Sequence, residues 1–391
     1  MKTAIKGGRI VLPDRFVDGA ALLFDEKITD VISDDEITSD TRVIDAENGV
    51  VVPGFVDIHV HGGGGYDFLD EAPEATPSIL KTHLSHGTTS LLATTLTCPD
   101  EILYRGVGKL GREIERGFAP GECEILGLHL EGPYFSSAAK GAQAIRKQKI
   151  PTLDELEKLY TLAKGHIVRF DGAPELPEMD LFARWTKEKG ILASIGHSGA
   201  NAETALEYYK KGFSHITHMY CSTTTEHKEG QVVHGGIIEA AYLEDGFRVE
   251  LIGDGKHIPR ETMLLVFKIK GVDSTMLVTD AMRAAGTDVT ESILGEKETG
   301  TRVIVEDGVA KLPDRSSFAG SVATMDVCLR TAVRYGIPLV DAVKSCTLTP
   351  ARTVGFGGRK GSLEKGKDAD IVILDRELNV RRVFARGKEA N

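Results

Sequence analysis

The chain has 391 residues, of which 41% are apolar and 27% carry a charge, the proportions of an ordinary globular protein. Its formal net charge of −11 argues against a nucleic-acid partner or an anionic membrane surface. No apolar run approaches the roughly 18 residues of a membrane span, and the first residues, MKTAIKGGRIVLPDRF, lack the apolar stretch of a signal peptide. The five cysteines have no paired spacing, which excludes a disulfide framework or a CxxC metal site, so we expect a cytoplasmic protein.

Both ends of the chain show short apolar runs that stop at glycine, aspartate or asparagine, a pattern typical of antiparallel strands. The runs at the N-terminal end include AIKGGRIVL, GAALLF and TRVIDAENGVVVPG, and the C-terminal end contains KDADIVILDRELNVRRVFARGK. We therefore predict one small β-sandwich domain built from both termini, residues 1–52 and 355–391.

The middle of the chain, residues 53–354, alternates strand-like and helical patterns. Its strand candidates are FVDIHV, GTTSLLATT, EILGLHLEG, HIVRFDGAPE, GILASIGHSG, FSHITHM, RVELIGDG and STMLVTDAM. Eight such units predict an α/β fold of the (β/α)₈ TIM-like barrel type, although a doubly wound open sheet alternates in the same way. A polar, turn-rich segment at about 286–318 predicts a β-rich insertion after the last barrel strand, placed to cover the active-site face.

The strongest local motif is HVHGGGG, at the end of the first barrel strand. His59 and His61 are two residues apart, so their side chains point to one face of the strand and can bind one divalent cation. Two such histidines can also merely share hydrogen bonds. Asp57 lies in phase with them, with a supporting or solvent-facing role equally open.

Ligand-type residues also follow four other apolar runs. Glu131 follows the third strand candidate, His197 and His218 follow the fifth and sixth, and Asp280 follows the eighth. In a parallel barrel the carboxyl ends of all strands meet at one mouth, so these residues converge although they are distant in sequence. The repetition predicts a metal-dependent active site.

These motifs resemble those of the amidohydrolase superfamily, with HVH after the first strand, single histidines after the fifth and sixth, and an aspartate after the eighth. HLEGPYFSSAAKGAQ, GHSGA, VTDAM, FAGS and GSLEKGKDADIVILD are similar more particularly to the N-acetylglucosamine-6-phosphate deacetylase family. The resemblance runs from about residue 5 to the C-terminus. HLEGP is the most specific motif, because a glutamate in this family replaces the carbamylated lysine of many relatives.

The resemblance implies a metal centre and a reaction. Glu131, His197 and His218 would hold the main divalent metal (Zn, Fe, Mn or Co), and His59 and His61 match a pair that supplies a second metal in some members. Asp280 matches the catalytic acid and base. The implied reaction is hydrolysis of the N-acetyl group of N-acetylglucosamine 6-phosphate, or of a close N-acetylhexosamine 6-phosphate, by metal-activated water.

The resemblance also implies substrate contacts and a homodimer in which one subunit completes the phosphate site of the other. The histidine of the family's GDGxH segment is His257, and the stretch Phe318, Ala319 and Gly320 matches the lining of the acyl pocket.

The chain departs from the family at two places. Cys221, Ser222 and Thr223 replace an Asn-Ala-Met segment, and Lys228 or His227 stands near the place of a phosphate-binding arginine. Gln143 replaces a histidine that polarises the substrate carbonyl; its amide can donate a hydrogen bond but cannot be cationic. Two alternatives therefore stay open: a related amidohydrolase that acts on another N-acyl amine or a cyclic amide, and a catalytically silent relative that binds a sugar phosphate.

Overall fold

The structure, a computed structural model, describes residues 2–143 and 148–390. Its centre is an 8-stranded parallel sheet in which each strand pairs with the next along the chain. The strands are β1 Phe55–Val60, β2 Thr88–Thr95, β3 Glu124–Leu130, β4 Ile167–Gly172, β5 Leu192–Ile195, β6 Phe213–Ile216, β7 Arg248–Ile252 and β8 Thr275–Val278. Every residue of β1 and β2 is buried, as expected for strands covered on both faces.

The sheet closes on itself just beyond the ends of β1 and β8. The backbone N–H of Asp280 donates to the carbonyl of His59 (2.9 Å), and that of His61 donates to the carbonyl of Ala281 (2.9 Å). This closure confirms the predicted barrel and excludes the open sheet. It also brings the HVH motif beside Asp280.

The helices surround this barrel, and a side chain caps the start of two of those described. Asn201 accepts a hydrogen bond from the backbone N–H of Thr204 (2.9 Å) at the start of the helix Ala202–Lys211, and Gly212 ends that helix with φ 122°. The helices are α1 Ala75–Ser85, α2 Asp100–Arg116, α3 Leu153–Leu162, α4 Met179–Lys189, α5 Ala202–Lys211, α6 Ile237–Leu243, α7 Arg260–Lys270, α8 Met325–Tyr335, α9 Leu339–Cys346 and α10 Leu348–Thr353. None of the helices described is long and apolar enough to cross a membrane.

Two further sheets join the two ends of the chain in a separate domain. One has four strands, in the order Ile28–Ser33, Ala20–Phe24, Thr3–Lys6 and Arg42–Asp45. The other has six, in the order Lys388–Glu389, Val380–Ala385, Ile371–Leu374, Val50–Pro53, Arg9–Val11 and Phe16–Val17. Their shared core includes an edge-to-face contact of Phe24 with Phe384, whose ring centroids are 5.6 Å apart.

The predicted small β domain is therefore present, while its limits at 1–52 and 355–391, like the barrel limits 53–354, stay a prediction. Met1, Asn391 and residues 144–147 of these predicted units lie outside the described residues.

The segment after β8 contains a four-stranded antiparallel sheet, which we call the flap. Its strands are Glu291–Leu294, Thr301–Glu306, Val309–Lys311 and Phe318–Ser321. Ser321 pairs with Ala281, so the last strand returns to the mouth of the barrel. Two short hairpins lie in other loops, with strands Gly62–Gly63 and Tyr66–Asp67 in one and His227–Glu229 and Val232–His234 in the other.

Candidate active site

The first group of ligand-type residues at the barrel mouth consists of Glu131, His197 and His218. They stand just past the ends of β3, β5 and β6 and are all buried. One carboxylate oxygen of Glu131, Oε1, lies 3.1 Å from the Nε2 atom of each histidine, and the two Nε2 atoms are 3.2 Å apart. We call this group the Glu131 cluster.

The tautomers of the two histidines show that the Glu131 cluster fits a cation. The Nδ1 atom of His197 lies 3.0 Å from the carbonyl of Ala139, and that of His218 lies 3.0 Å from the carbonyl of Cys221. A carbonyl only accepts, so each Nδ1 carries a hydrogen and, in the neutral ring, each Nε2 presents a lone pair. Two lone pairs and a carboxylate oxygen then face one another, an arrangement that a divalent cation stabilises.

A second group, the His59 cluster, contains His59, His61 and Asp280. The Asp280 Oδ1 atom lies 3.4 Å from Nε2 of His59 and 3.1 Å from Nε2 of His61. Nε2 of His59 is buried without a hydrogen-bond partner, so its lone pair is available to a ligand. Glu131 approaches this cluster as well, with its Oε2 3.4 Å from Nε2 of His61.

Three of the ligand-type residues hold a left-handed backbone conformation, which is uncommon for residues with side chains. The φ angles are 46° for His197, 28° for His218 and 48° for Asp280. Each of the three follows the end of a barrel strand, where the chain leaves the sheet. Such conformations cost free energy and cluster at functional sites, because the surrounding structure must hold them in place.

The charges of the two clusters are coupled. Burial raises the pKa of Glu131, but its hydrogen bonds with His197 and His218 outweigh this and hold the pKa well below its ordinary value. Burial lowers the pKa of His218, yet Glu131 raises it to about 9 in the metal-free protein. Burial likewise opposes the charged form of Asp280, whose pKa is lowered by His59 and His61. Asp280 is therefore ionised at neutral pH and can accept a proton.

Both clusters open into a cavity of about 290 Å³ at the barrel mouth. Of the residues predicted to contact substrate, six line it: Gln143, Cys221, Ser222, His257, Phe318 and Gly320. Sequence reasoning missed other lining residues, which are Leu96, Gly141, Ala142, Tyr220, Ile252, Leu294 and Ser317.

Two other predicted substrate contacts do not line the cavity. Ala319 is buried within the flap, and Lys228 is exposed on the hairpin between β6 and α6. No lysine or arginine among the residues described lines the cavity.

Gln143 contacts a metal-ligand candidate. Its amide nitrogen donates to Oε2 of Glu131 (2.6 Å), and its amide oxygen accepts from the backbone N–H of Thr97 (3.1 Å). The same carboxylate thus offers Oε1 to the two histidines and Oε2 to an amide. Elsewhere in the cavity wall, the ring of His257 packs against Phe318, with the ring centroids 4.8 Å apart, and its Nδ1 donates to Asp254 (2.7 Å).

Beneath the clusters lies a buried charged network that the motifs did not predict. Arg169 is fully buried and contacts Glu250 and Asp171, with Nη1 2.6 Å from Glu250 Oε2 and Nε 3.1 Å from Asp171 Oδ1. A charged residue inside the apolar runs RVELI and IVRFDG was the signal that could have revealed it. Asp57 is also buried, accepting from the hydroxyl of Thr279 (2.5 Å), and burial raises its pKa to about 7.

Comparison with known proteins agrees with this geometry. The profile of the amidohydrolase family matches residues 50–390. The chain is 33% identical over 341 residues to the N-acetylglucosamine-6-phosphate deacetylase of Lysinibacillus sphaericus. The aligned region covers 86% of this chain and 84% of the relative. It is 29% identical to the N-acetylgalactosamine-6-phosphate deacetylase of Escherichia coli, over 100% of both chains.

A crystal structure of the N-acetylglucosamine-6-phosphate deacetylase of Pasteurella multocida superposes with a TM-score of 0.91 at 29% identity and covers 100% of both chains. The similarity therefore extends over the barrel, the small β domain and the site. The chain belongs to the N-acetylglucosamine-6-phosphate deacetylase family of the amidohydrolases and is a hydrolase.

Proposed function

We propose that the protein hydrolyses the N-acetyl group of N-acetylglucosamine 6-phosphate, or of a close N-acetylhexosamine 6-phosphate, to acetate and the amino-sugar phosphate. The observation that carries the proposal is the pair of ligand clusters that meet around Asp280 and Glu131 in one cavity. The similarity to deacetylases acting on two different N-acetylhexosamine 6-phosphates supports the substrate class.

The protein side chains divide the work of amide hydrolysis. A divalent cation (Zn, Fe, Mn or Co) bound to these residues supplies Lewis acidity, which polarises an amide carbonyl and lowers the pKa of water. Glu131, His197 and His218 would hold one cation, and His59 and His61 with Asp280 would hold a second. Asp280 takes a proton from the attacking water and returns it to the leaving amine, because it is ionised and faces the cavity.

The cavity walls supply the remaining contacts. One N–H of the Gln143 amide is used by Glu131, so the second N–H is the one that donates to the reacting carbonyl, and Phe318 with Gly320 borders the acyl group. His257 is oriented by Asp254, which leaves its Nε2 to contact the sugar. Hydroxyl and backbone groups around Ser222 bind the phosphate, since neutral donors can hold an anion where a cation is missing.

We further propose a cytoplasmic homodimer in which Lys228 completes the phosphate site of the partner. Lys228 is exposed and does not line the cavity of its own chain. The same hairpin carries Val232 and Val233, which are 59% and 55% exposed, an apolar surface suited to a subunit contact. The five cysteines are unpaired, as is usual in a reducing compartment.

Light scattering of the purified protein tests the dimer, and a Lys228→Met variant should raise KM for the phosphorylated substrate.

The test of the main proposal is acetate release from a panel of compounds, combined with metal quantification. The panel holds N-acetylglucosamine 6-phosphate, N-acetylgalactosamine 6-phosphate, both sugars without phosphate, N-acyl amino acids and a cyclic amide. We expect turnover of a phosphorylated sugar by metal-loaded protein. Turnover of only the cyclic amide or an N-acyl amino acid would overturn the substrate class. Protein that binds the sugar phosphate but takes up no cation and releases no acetate when metal is supplied would indicate a silent relative.

A further inference from the structure

The charged residue Glu250 lies in the middle of β7, beneath the two ligand clusters. Its side chain is fully buried and contacts residues of β1, of β4 and of the segment that follows β6. Burying a carboxylate without compensation is costly, so each of its hydrogen-bond partners bears on why the residue is present.

One carboxylate oxygen of Glu250 contacts both ligand clusters. Oε1 accepts a hydrogen bond from Nδ1 of His59 (2.7 Å) and another from the backbone N–H of His218 (2.9 Å). His59 belongs to the His59 cluster and His218 to the Glu131 cluster. A single oxygen atom thus connects a ligand of each.

The other side of the Glu250 carboxylate is held by a buried arginine. Nη1 of Arg169 lies 2.6 Å from Oε2, and Nη2 lies 3.1 Å from Oε1. Arg169 is itself fixed by Thr217 and Ser194, whose hydroxyl oxygens accept from it at 2.7 and 3.0 Å. The bidentate contact keeps the carboxylate ionised and leaves it little freedom to rotate.

The acceptor on Nδ1 determines which nitrogen of His59 can bind a metal. Since Glu250 accepts, Nδ1 carries the hydrogen, and Nε2 keeps its lone pair. That Nε2 has no hydrogen-bond partner and lies 3.4 Å from Oδ1 of Asp280. His197 and His218 obtain the same effect from backbone carbonyls, so they do not depend on Glu250 for their tautomers. Nδ1 of His61 has no hydrogen-bond partner.

We propose that Glu250, held by Arg169, is a positioning residue that fixes His59 in its metal-binding tautomer and thereby sets the occupancy of the His59 cluster. The inference deepens the proposed function, on which it rests for the role of the metals. The cation site at the HVH motif then depends on Glu250 for the tautomer of its ligand. The Glu131 cluster does not depend on Glu250 in this way.

The first test uses cation binding in the absence of any substrate, so it does not depend on deacetylase activity. Metal-free protein is titrated with Mn²⁺ or Zn²⁺ by equilibrium dialysis, and the bound metal is quantified. We expect two cations per wild-type subunit. Glu250→Gln should weaken the second by 10- to 100-fold, the usual effect of losing a partner that orients a metal ligand, and leave the first almost unchanged.

Glu250→Gln leaves Arg169 buried beside an amide, which can impair folding. The double variant Arg169→Met and Glu250→Leu removes both charges and the acceptor together and should show the same loss of the second cation. Asp370→Asn is the matched control, because it removes a buried carboxylate from Lys360 near the small domain (2.7 Å) and should keep both cations. A wild-type protein that binds one cation, or a double variant that keeps two with unchanged affinity, would overturn the proposal.

A second measurement reads the tautomer of His59 directly in the wild-type protein. With ¹⁵N-labelled histidine, the metal-free protein should show a slowly exchanging Nδ1–H signal from His59, assigned by its absence in His59→Gln. A His59 ring that carries its hydrogen on Nε2 would contradict the proposed tautomer whatever the variants do. Inactivity of the enzyme with preserved two-cation binding would instead count against the proposed function alone.

Discussion

Asp280 takes part in both metal binding and proton transfer in the proposed site, which makes its substitution informative. Asp280→Asn keeps the shape of the side chain but removes the basic oxygen that lies 3.1 Å from His61. We expect acetate release to fall by roughly 10²- to 10⁴-fold, the usual contribution of a general acid and base. The cation at the Glu131 cluster should remain, since Asp280 is not one of its ligands.

Acetate assay and metal analysis on the same preparation check this expectation. Asp307→Asn, an exposed carboxylate in the flap, serves as the control and should leave both readouts unchanged. An Asp280→Asn enzyme with more than a tenth of wild-type activity would remove Asp280 from the role of acid and base.

Gln143 offers a complementary test, because it holds the other oxygen of Glu131. Gln143→Leu removes the hydrogen bond to Oε2 and frees the N–H of Thr97. Loss of such a supporting contact costs about 10- to 100-fold in metal affinity or activity. The affinity that falls should be that of the first cation, whereas Glu250→Gln affects the second; dialysis at graded free metal concentrations distinguishes the two. Equal loss of both cations in Gln143→Leu would show that the clusters do not bind independently.

The ligand residues were predictable from the sequence, and the residues that support them were not. Each ligand candidate is a polar side chain placed after an apolar run, and the barrel turns that one-dimensional pattern into a shared location. Glu250 and Arg169 lie inside such apolar runs. The sequence shows that each is a charged residue in a strand, but it does not show which residue each of them pairs with. Their pairing depends on the register of β4 against β7 across the barrel interior, which spacing along the chain does not encode.

At the scale of single elements, helix α1 supports the loop that follows the HVH motif. His83 on α1 is fully buried and donates from Nε2 to the carbonyl of Gly62 (2.9 Å). A Cβ at Gly63 would lie 2.9 Å from the same ring nitrogen, so the loop needs glycine to approach the helix so closely. The glycines after His61 therefore allow the loop to pack on α1.

This contact predicts a pH dependence of stability. Burial lowers the pKa of His83 to about 4, so below its unfolded value of 6.5 the unfolded chain binds more protons than the folded one. His83 therefore costs stability as the pH falls from about 6.5 to about 4. From pH 7 to pH 5.5 we expect metal-free wild-type protein to lose about 1 kcal/mol that a His83→Gln variant, which keeps a donor, does not lose.

Urea unfolding of both proteins at the two pH values measures this difference. The comparison between variants is needed because Asp57 and Asp67, whose pKa values burial raises to about 7 and about 6, titrate in the opposite direction. Chelator-treated samples keep metal release out of the measurement. Parallel loss of stability in both proteins would show that His83 does not carry this proton uptake.

The sequence predicted the strands whose residues are mostly buried, but it predicted only incompletely the strands that are partly exposed. All eight strand candidates became barrel strands, because each is an apolar run buried in the sheet. In the flap, the sequence predicted a β-rich insertion at about 286–318 but not all four of its strands, of which the outer two are Glu291–Leu294 and Phe318–Ser321. Those outer strands are short and partly exposed, so their pattern does not differ from that of a polar loop.

For the molecule as a whole, the barrel and the small β domain are joined by charges at the end opposite the active site. Glu124 begins β3, and three cations of the C-terminal segment converge on its carboxylate. The contacts are 2.7 Å to Arg359, 2.9 Å to Lys360 and 3.5 Å to Arg386. Burial acts to raise the pKa of Glu124, but Arg359 and Lys360 lower it below its ordinary value, so the ionised form is favoured here.

Glu124 lies at the start of a strand, away from the active site, so its substitution should lower the stability of the protein and leave catalysis unchanged. Glu124→Gln removes the charge that three cations share, one of them the fully buried Lys360. Breaking a buried ion pair on one side costs about 3 to 5 kcal/mol, and the partly exposed Glu124 should cost roughly 2 to 3 kcal/mol. Glu306→Gln changes a partly exposed flap carboxylate paired with Arg315 and Lys311; it is the matched control and should cost much less stability than Glu124→Gln. Thermal and urea unfolding measure the difference, and acetate release per folded molecule should stay at the wild-type level in both variants. Loss of activity in folded Glu124→Gln would mean that the joint between the domains acts on the barrel mouth, contrary to the placement of the site at the carboxyl ends of the strands.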